Sequence, residues 1–342
     1  MFSGKHRCSR RDLLIFAGLM GIGYTAASFW PLEESSAFLF NRKEYKIAKT
    51  RLAMGTYVSM TAIHPSKDQA EEAFGQAFNE IKRLSSILSR YHDDSAVSEL
   101  NQTGMIAHPP TELQEVVSQS ALFYRLTEGA FDISVKPLID LYQSCFENNR
   151  KPTESEITAV LPRINGEDIH VEADRISFSR EGMAITLDGI AKGYIVDRSS
   201  EILIKAGISN HLINAGGDIR ASGTAAKGRK WTVAIQDPAK KGAYPDIISL
   251  TDGSIATSGD YEIFYDHEKI FHHIVNGKTG HSPHHSSSVS ITAPTVTEAD
   301  ALATAVFVLG PDNGIRFIDS CAPYECLVID RQGKKQTSGS WL

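Results

Sequence analysis

The sequence predicts a mixed α+β fold. Helical and strand-like segments are interleaved along its 342 residues without the regular strand–helix–strand units of a doubly wound sheet. After Ile169 short alternating segments follow one another closely, whereas before it amphipathic helices predominate. The third observation is the stretch 289–310. It opens as a strand, breaks at Pro294, and continues as a helix that is apolar on nearly every side.

In chain order, residues 51–63 alternate as a strand interrupted by Met54-Gly55-Thr56. Residues 67–88 form an amphipathic helix, with Ala70, Ala73, Phe74, Ala77, Ile81, Leu84 and Leu88 on one stripe. A short helix is expected over 95–100, and another, capped by Thr111, runs to about Leu126. Residues 148–158 are polar and read as a surface connection. Strands are expected at 170–171, 175–178 and 184–186, then a helix over 191–206. Short strands follow near Leu212 and Ile219, and at 231–235, 247–250, 261–264 and 271–275. A helix near 312–320 and a strand at 325–329 close the chain.

The N-terminus reads as an export signal of the twin-arginine type. Ser9-Arg10-Arg11-Asp12-Leu13-Leu14 precedes a modest apolar run with three glycines, and Ala26, Ala27 and Ser28 offer a small-residue cleavage site. An uncleaved membrane anchor is the alternative. The expected organisation is a signal over 1–28, a linker over 29–48 and one domain over 49–342. The formal net charge is −6, although the first 28 residues are positive, and this argues against non-specific nucleic-acid binding. Of the cysteines, Cys8 lies in the signal, Cys321 and Cys326 are candidates to pair in an oxidising compartment, and Cys145 is left over.

Several segments carry chemistry-bearing residues. In the apolar helix, Asp300 and Thr304 stand four residues apart and point the same way. A hard cation such as Mg²⁺ accepts such oxygens; ordinary helix-end chemistry is the alternative. Thr186-Leu187-Asp188-Gly189-Ile190-Ala191-Lys192-Gly193 joins a strand to a helix whose N-terminus, with Lys192, suits an anion, although a tight turn explains it equally. The chain has neither GxGxxG nor GxxxxGK[ST]. Asn214-Ala215-Gly216-Gly217-Asp218 is a hairpin, or a place where something flat or anionic lies against backbone. Ala130, Phe131 and Asp132 follow a helix stop at Gly129. Residues 255–261 and 271–283 are turn-rich and polar. The histidines at 267, 272, 273, 281, 284 and 285 match no standard zinc spacing.

Eight segments in order, AMGTYVSM, LSRYHDDSAVSELN, TEGAFDISVKPL, LDGIAKGYIVD, INAGGDIRASG, ATSGDYEIF, HHIVNGKTGHSP and TEADALATAVFVLG, resemble the ApbE family of FAD:protein FMN transferases over about residues 50–310. The resemblance implies a T-fold-like domain of antiparallel sheets packed by helices. It also implies Mg²⁺-dependent transfer of FMN from FAD, through its phosphate, to a Thr or Ser of an acceptor flavoprotein subunit, with release of AMP. FAD contacts then fall on Met54, Tyr91, Ala130, Phe131, Asp132, Thr186, Lys192 and Val275. Metal ligands fall on Asp300, Thr304 and the Gly189 carbonyl. Many members carry Asp where this chain has Thr186; here the carboxylate stands at Asp188. Asn276-Gly277 replaces an Asp-Pro.

Pyrophosphate cleavage needs charge neutralisation more than covalent help, so no nucleophile is required of this chain. His273, in the segment expected near the phosphates, is the candidate base, and Asp300 is the catalytic carboxylate through the metal. The export signal places such an enzyme in the periplasm, near membrane-bound acceptor subunits. The alternatives are an FAD pyrophosphatase releasing FMN and AMP, a non-catalytic flavin-binding protein and a histidine-rich metal carrier.

Overall fold

The computed structural model describes residues 33–39, 44–239, 244–260, 272 and 274–341. In chain order the elements are β1 (Glu33–Leu39), β2 (Tyr45–Ala53), β3 (Thr56–His64), α1 (Lys67–Leu88), α2 (Ala96–Thr103), β4 (Met105–Ala107), α3 (Thr111–Leu126), α4 (Lys136–Glu147), α5 (Glu154–Val160), β5 (Ile169–Val171) and β6 (Arg175–Phe178). They continue as α6 (Ala191–Lys205), β7 (His211–Ala215), β8 (Asp218–Ser222), β9 (Trp231–Ala234), β10 (Ile247–Leu250), β11 (Gly253–Gly259), β12 (Ser286–Ala293), α7 (Val296–Leu309), α8 (Pro311–Asp319), β13 (Glu325–Asp330) and β14 (Lys335–Thr337).

Among the described residues, nine strands form one sheet in the order β1-β2-β3-β7-β8-β11-β12-β13-β14, and every neighbouring pair is antiparallel. Alternation along each strand divides its side chains between two faces. On one face Ile47, Val58, Met60, Ala256 and Ile291 meet Phe74 and Ile81 of α1, Val196 of α6, and Leu302 and Val306 of α7. On the other, Ile219, Ile255 and Leu327 are covered by the β9–β10 ribbon through Trp231, Val233, Ile248 and Leu250. The α+β class with antiparallel sheets packed by helices is therefore the observed architecture. A third cluster, Val135, Leu138, Ile139 and Tyr142 with Ile157, Ile164 and Val275, seats α4 and α5 beside the loop after residue 272.

Helix α1 spans the expected 67–88. Its N-cap Ser66 accepts a hydrogen bond from the Gln69 N–H, and its buried residues are the expected stripe with Phe78 added. The expected interrupted strand is a hairpin: β2 and β3 pair from Tyr45↔His64 to Ala53↔Thr56, and Met54 (φ 52°) and Gly55 (φ 72°) form the two-residue turn.

Other local expectations are corrected. Part of the stretch expected as a linker forms β1, paired with β2 from Glu33↔Arg51 to Leu39↔Tyr45. Thr111 opens α3 but does not cap it, because Pro110 holds the cap position without a side-chain bond. Within 148–158, α5 begins under a capping box between Thr153 and Glu156. Residues 184–186 belong to no ladder: the Asn101 side-chain amide brackets Ile185, donating to its carbonyl and accepting from its N–H. Residues 255–259, expected as turn, are the later part of β11, where Ala256 and Ile255 alternate between the two cores. The expected strand 261–264 lies outside the described residues, as do Phe271 and His273 within 271–275. Cys145, Cys321 and Cys326 are all free, so the candidate 321–326 pairing is not formed. No helix among the described residues is long and apolar enough to cross a membrane.

A buried histidine ties α6 to the sheet. His211 of β7 bonds through Nδ1 to the Ile208 carbonyl at 2.7 Å and through Nε2 to Ser200 Oγ at 2.7 Å. With the Ile208 carbonyl accepting, Nδ1 carries the proton and Nε2 accepts from the hydroxyl. Burial first, then the Arg220 charge, lowers its pKa from 6.5 to about 4. The folded state thus binds fewer protons than the unfolded one between these values. The stabilisation from neutral His211 is complete above about pH 6.5 and is lost as pH falls toward 4, by about 3 kcal/mol. Denaturant melts from pH 7 to 4 should show this loss, and a His211→Gln variant should lack that share of the slope. Equal slopes in the two proteins would refute the assignment.

Candidate active site

Helices α6 and α7 start against one another. A Cβ at Gly193 would sit 2.5 Å from the Val296 carbonyl oxygen and 2.9 Å from the Thr297 Cα. Glycine thus lets α6 touch the α7 backbone. The approach is bonded in both directions. Asp300 Oδ2 of α7 accepts from the Gly193 N–H of α6 at 3.0 Å. Asp197 of α6 accepts from the Val296 and Thr297 N–H groups and the Thr297 hydroxyl of α7, at 3.0, 2.9 and 2.6 Å. Each helix therefore supplies a carboxylate to the other's N-terminus, where unsatisfied N–H groups and the helix dipole favour negative charge. Burial raises the Asp197 pKa, and the three bonds from Thr297 and Val296 pull it back. Thr295 completes the start of α7 with a capping box to Glu298.

An open cleft lies beside this crossing. Of the sequence-predicted site residues, Ala130, Phe131, Asp132, Thr186, Gly189, Lys192, Val275, Asp300 and Thr304 all line it. Thr304 and the Gly189 turn are close enough that a Cβ at Gly189 would lie 2.8 Å from Thr304 Oγ1. Ser258, on β11, has its hydroxyl 3.4 Å from the same Thr304 oxygen and also lines the cleft. One carboxylate, hydroxyls and a glycine-turn backbone make an all-oxygen donor set, which suits a hard cation that keeps water or phosphate oxygens. Among the described residues no group of three or more His, Cys, Asp or Glu side chains is placed to hold a metal ion. His272 is buried and bonded to the Pro283 carbonyl, and His281 lies 3.5 Å from Glu154, so these two histidines do not converge.

Beside the Gly189 turn, Phe131 is buried edge-on against Phe123, with 6.1 Å between ring centroids, and its N–H is held by the Thr127 hydroxyl. Asp132 caps the turn at 133–135 by accepting from the Ser134 N–H and hydroxyl at 2.8 and 2.6 Å. Burial nevertheless raises its pKa to about 6. Thr186 is buried. Its N–H donates to Ile133, and its hydroxyl accepts from the Asp188 N–H at 3.2 Å. Thr186 and Asp188 both line the cleft, Asp188 from the turn that follows Thr186. Asp188 is paired at 2.9 Å with Arg90, whose guanidinium also lies over the Tyr91 ring and donates to the Tyr91 hydroxyl.

Two of the predicted contacts are not on the cleft wall. Tyr91 is 66% exposed and reaches the cleft only through Arg90 and Asp188. Met54 sits at the β2–β3 turn in a left-handed conformation uncommon for a side chain of its size. The neighbouring Thr56 packs against the β7–β8 turn at Gly216. His273 lies outside the described residues. The sequence does not single out Arg90, Asp197, Ser258 or Asp218, although all four stand inside segments that it does.

The ApbE family model matches residues 54–328. The chain belongs to the ApbE family. It is 30% identical over 309 residues to the FAD:protein FMN transferase of Treponema pallidum, covering 84% of each chain. It is also 30% identical over 248 residues to that of Haemophilus influenzae, covering 69% of this chain and 72% of the relative. Among solved structures, an ApbE protein of Thermotoga maritima superposes with a TM-score of 0.78 at 27% identity, over 87% of this chain and 97% of that one. The flavin transferase ApbE of Vibrio cholerae does so at 0.74 and 26%, over 90% and 98%. In this ApbE-family chain the helix crossing that carries Asp300 has no room for a larger residue at 193. Gly193→Ala should therefore destabilise the protein by about 1–3 kcal/mol, read as a lowered melting temperature. An unchanged melting temperature would mean the crossing is looser than described.

Proposed function

We propose that this chain transfers FMN from FAD to a Thr or Ser hydroxyl of a protein acceptor, with Mg²⁺ as the resident cation and AMP as the second product. The observation that carries the proposal is the single cleft in which Asp300, Thr304, the Gly189 turn and Lys192 meet, although they come from separate parts of the chain. Asp300 and Thr304 would hold the cation, with the Gly189 turn alongside. When bound, the cation supplies neutralisation of the pyrophosphate charge.

The remaining steps belong to the chain itself and its substrates. The acceptor oxygen bonds to the FMN phosphorus, the bond from that phosphorus to the AMP oxygen breaks, and AMP leaves with the electron pair. Lys192, on the cleft wall, places a positive charge for the developing phosphate charge. The buried wall at Phe131, Val275 and Ile274 excludes water from one side of the cleft. The Asp188 carboxylate, held by Arg90, faces the cleft as a hydrogen-bond acceptor for the nucleotide end. Thr186, standing where many family members carry Asp, keeps its O–H as a donor while its oxygen accepts from the Asp188 N–H. His273 is proposed as the base that takes the acceptor proton. The twin-arginine pattern supports action in the periplasm on a membrane-bound flavoprotein subunit.

The test is incubation with FAD, Mg²⁺ and candidate acceptor domains, followed by in-gel flavin fluorescence. The native protein should label an acceptor. Asp300→Asn keeps an oxygen for the Gly193 N–H but removes the charge, so transfer should fall by about two orders of magnitude or more with the fold retained by circular dichroism. Release of FMN and AMP without labelled protein would identify a pyrophosphatase instead. Unchanged transfer by Asp300→Asn would remove Asp300 from the site.

A further inference from the structure

We propose that Asp218 is a positioning residue for Lys192, fixing the ammonium on the cleft wall where the pyrophosphate of FAD would lie. The inference rests on the flavin-transfer reading of the cleft. Asp218 is 1% exposed, and its Oδ2 lies 3.1 Å from Lys192 Nζ. The lysine side chain is 24% exposed and lines the cleft, so the pair joins a buried anchor to a solvent-facing head. A carboxylate taken out of water is costly unless a cation and hydrogen bonds compensate it.

The local sequence explains how Asp218 comes to stand there. Asp218 is the first residue of β8 and pairs with Ala215 across a two-residue turn. The turn residues Gly216 and Gly217 have φ of 65° and 106°, values that glycine adopts without strain. At Gly216 a Cβ would also strike Thr56 Oγ1 at 2.5 Å, and the Gly217 N–H is held by the Asn214 side chain at 3.0 Å. The double glycine thus serves the carboxylate that follows it, and no ligand against its backbone is needed to account for it. Lysine carries its charge on a flexible four-carbon stem, so an ammonium without an anchor spreads over many rotamers. Tethered to the start of β8, it is restricted to the wall that also bears Asp300 and Gly189.

Flavin fluorescence titrations test this, with FAD and riboflavin as probes and native protein, Asp218→Asn, Lys192→Met and the double variant as samples. FAD affinity should fall by roughly tenfold in each single variant and by no more than that in the double variant, because Asp218 acts through Lys192. Riboflavin, which has no phosphate, should bind all four proteins within about twofold, whereas general loosening of the cleft would weaken both probes. If Asp218→Asn does not fold, Lys192→Met with Asp218→Leu removes both charges together, and its FAD affinity should match that of Lys192→Met. The inference is overturned if Asp218→Asn weakens FAD as much in the Lys192→Met background as in the native one, or if it leaves FAD affinity unchanged. Failure of the native protein to bind FAD at all would instead remove the flavin reading on which the inference rests.

Discussion

The mutual capping of two helix starts is the constraint on which the site depends. Asp197 of α6 closes the N-terminus of α7, and Asp300 of α7 closes the N-terminus of α6. Each bond alone is of ordinary capping strength, about 1 kcal/mol. Together they require the first turns of both helices to lie side by side, which only a glycine at 193 permits. Two positive helix ends converge there, and the two carboxylates offset them.

The cleft follows from that crossing. Gly189 precedes α6 closely enough that its turn meets Thr304, one helical turn beyond Asp300. The sheet supplies the remaining pieces from strand ends. β11 brings Ser258 to Thr304, and β8 brings Asp218 to Lys192. In the ladder Ile219 pairs with Ile255, so the start of β8 and the later part of β11 lie at the same end of the sheet. The apolar remainder of α7, including Leu302, Val306 and Phe307, is buried in the main core and holds the donors on a rigid element.

Much of this was legible in the sequence, for physical reasons. The stripe of α1 and the apolar run of α7 carry strong periodicity, so their existence and nearly their ends could be read. The site residues could be grouped because the order of eight segments resembles a known family, and the structure gathers nine of them around one cleft. What could not be read depends on tertiary partners. Residues 184–186 look like a strand but bond to a distant asparagine side chain. The double glycine before Asp218 reads as a hairpin or as a ligand platform, and neither reading reveals that Lys192 stands beside the carboxylate. From the sequence Asp300 is either a metal ligand or a helix-end carboxylate. It does cap a helix, but the helix is α6, which no local pattern reveals.

The central claim is that the α6–α7 crossing assembles a divalent-cation and pyrophosphate site. Its most direct test is a crystal structure of the protein grown with FAD and Mn²⁺, using anomalous scattering to locate the metal. The account predicts an anomalous peak about 2.0–2.2 Å from oxygens of Asp300 and Thr304, with the pyrophosphate between it and Lys192. Metal bound at the histidines of 272–285 instead, or flavin bound away from the cleft, would contradict it.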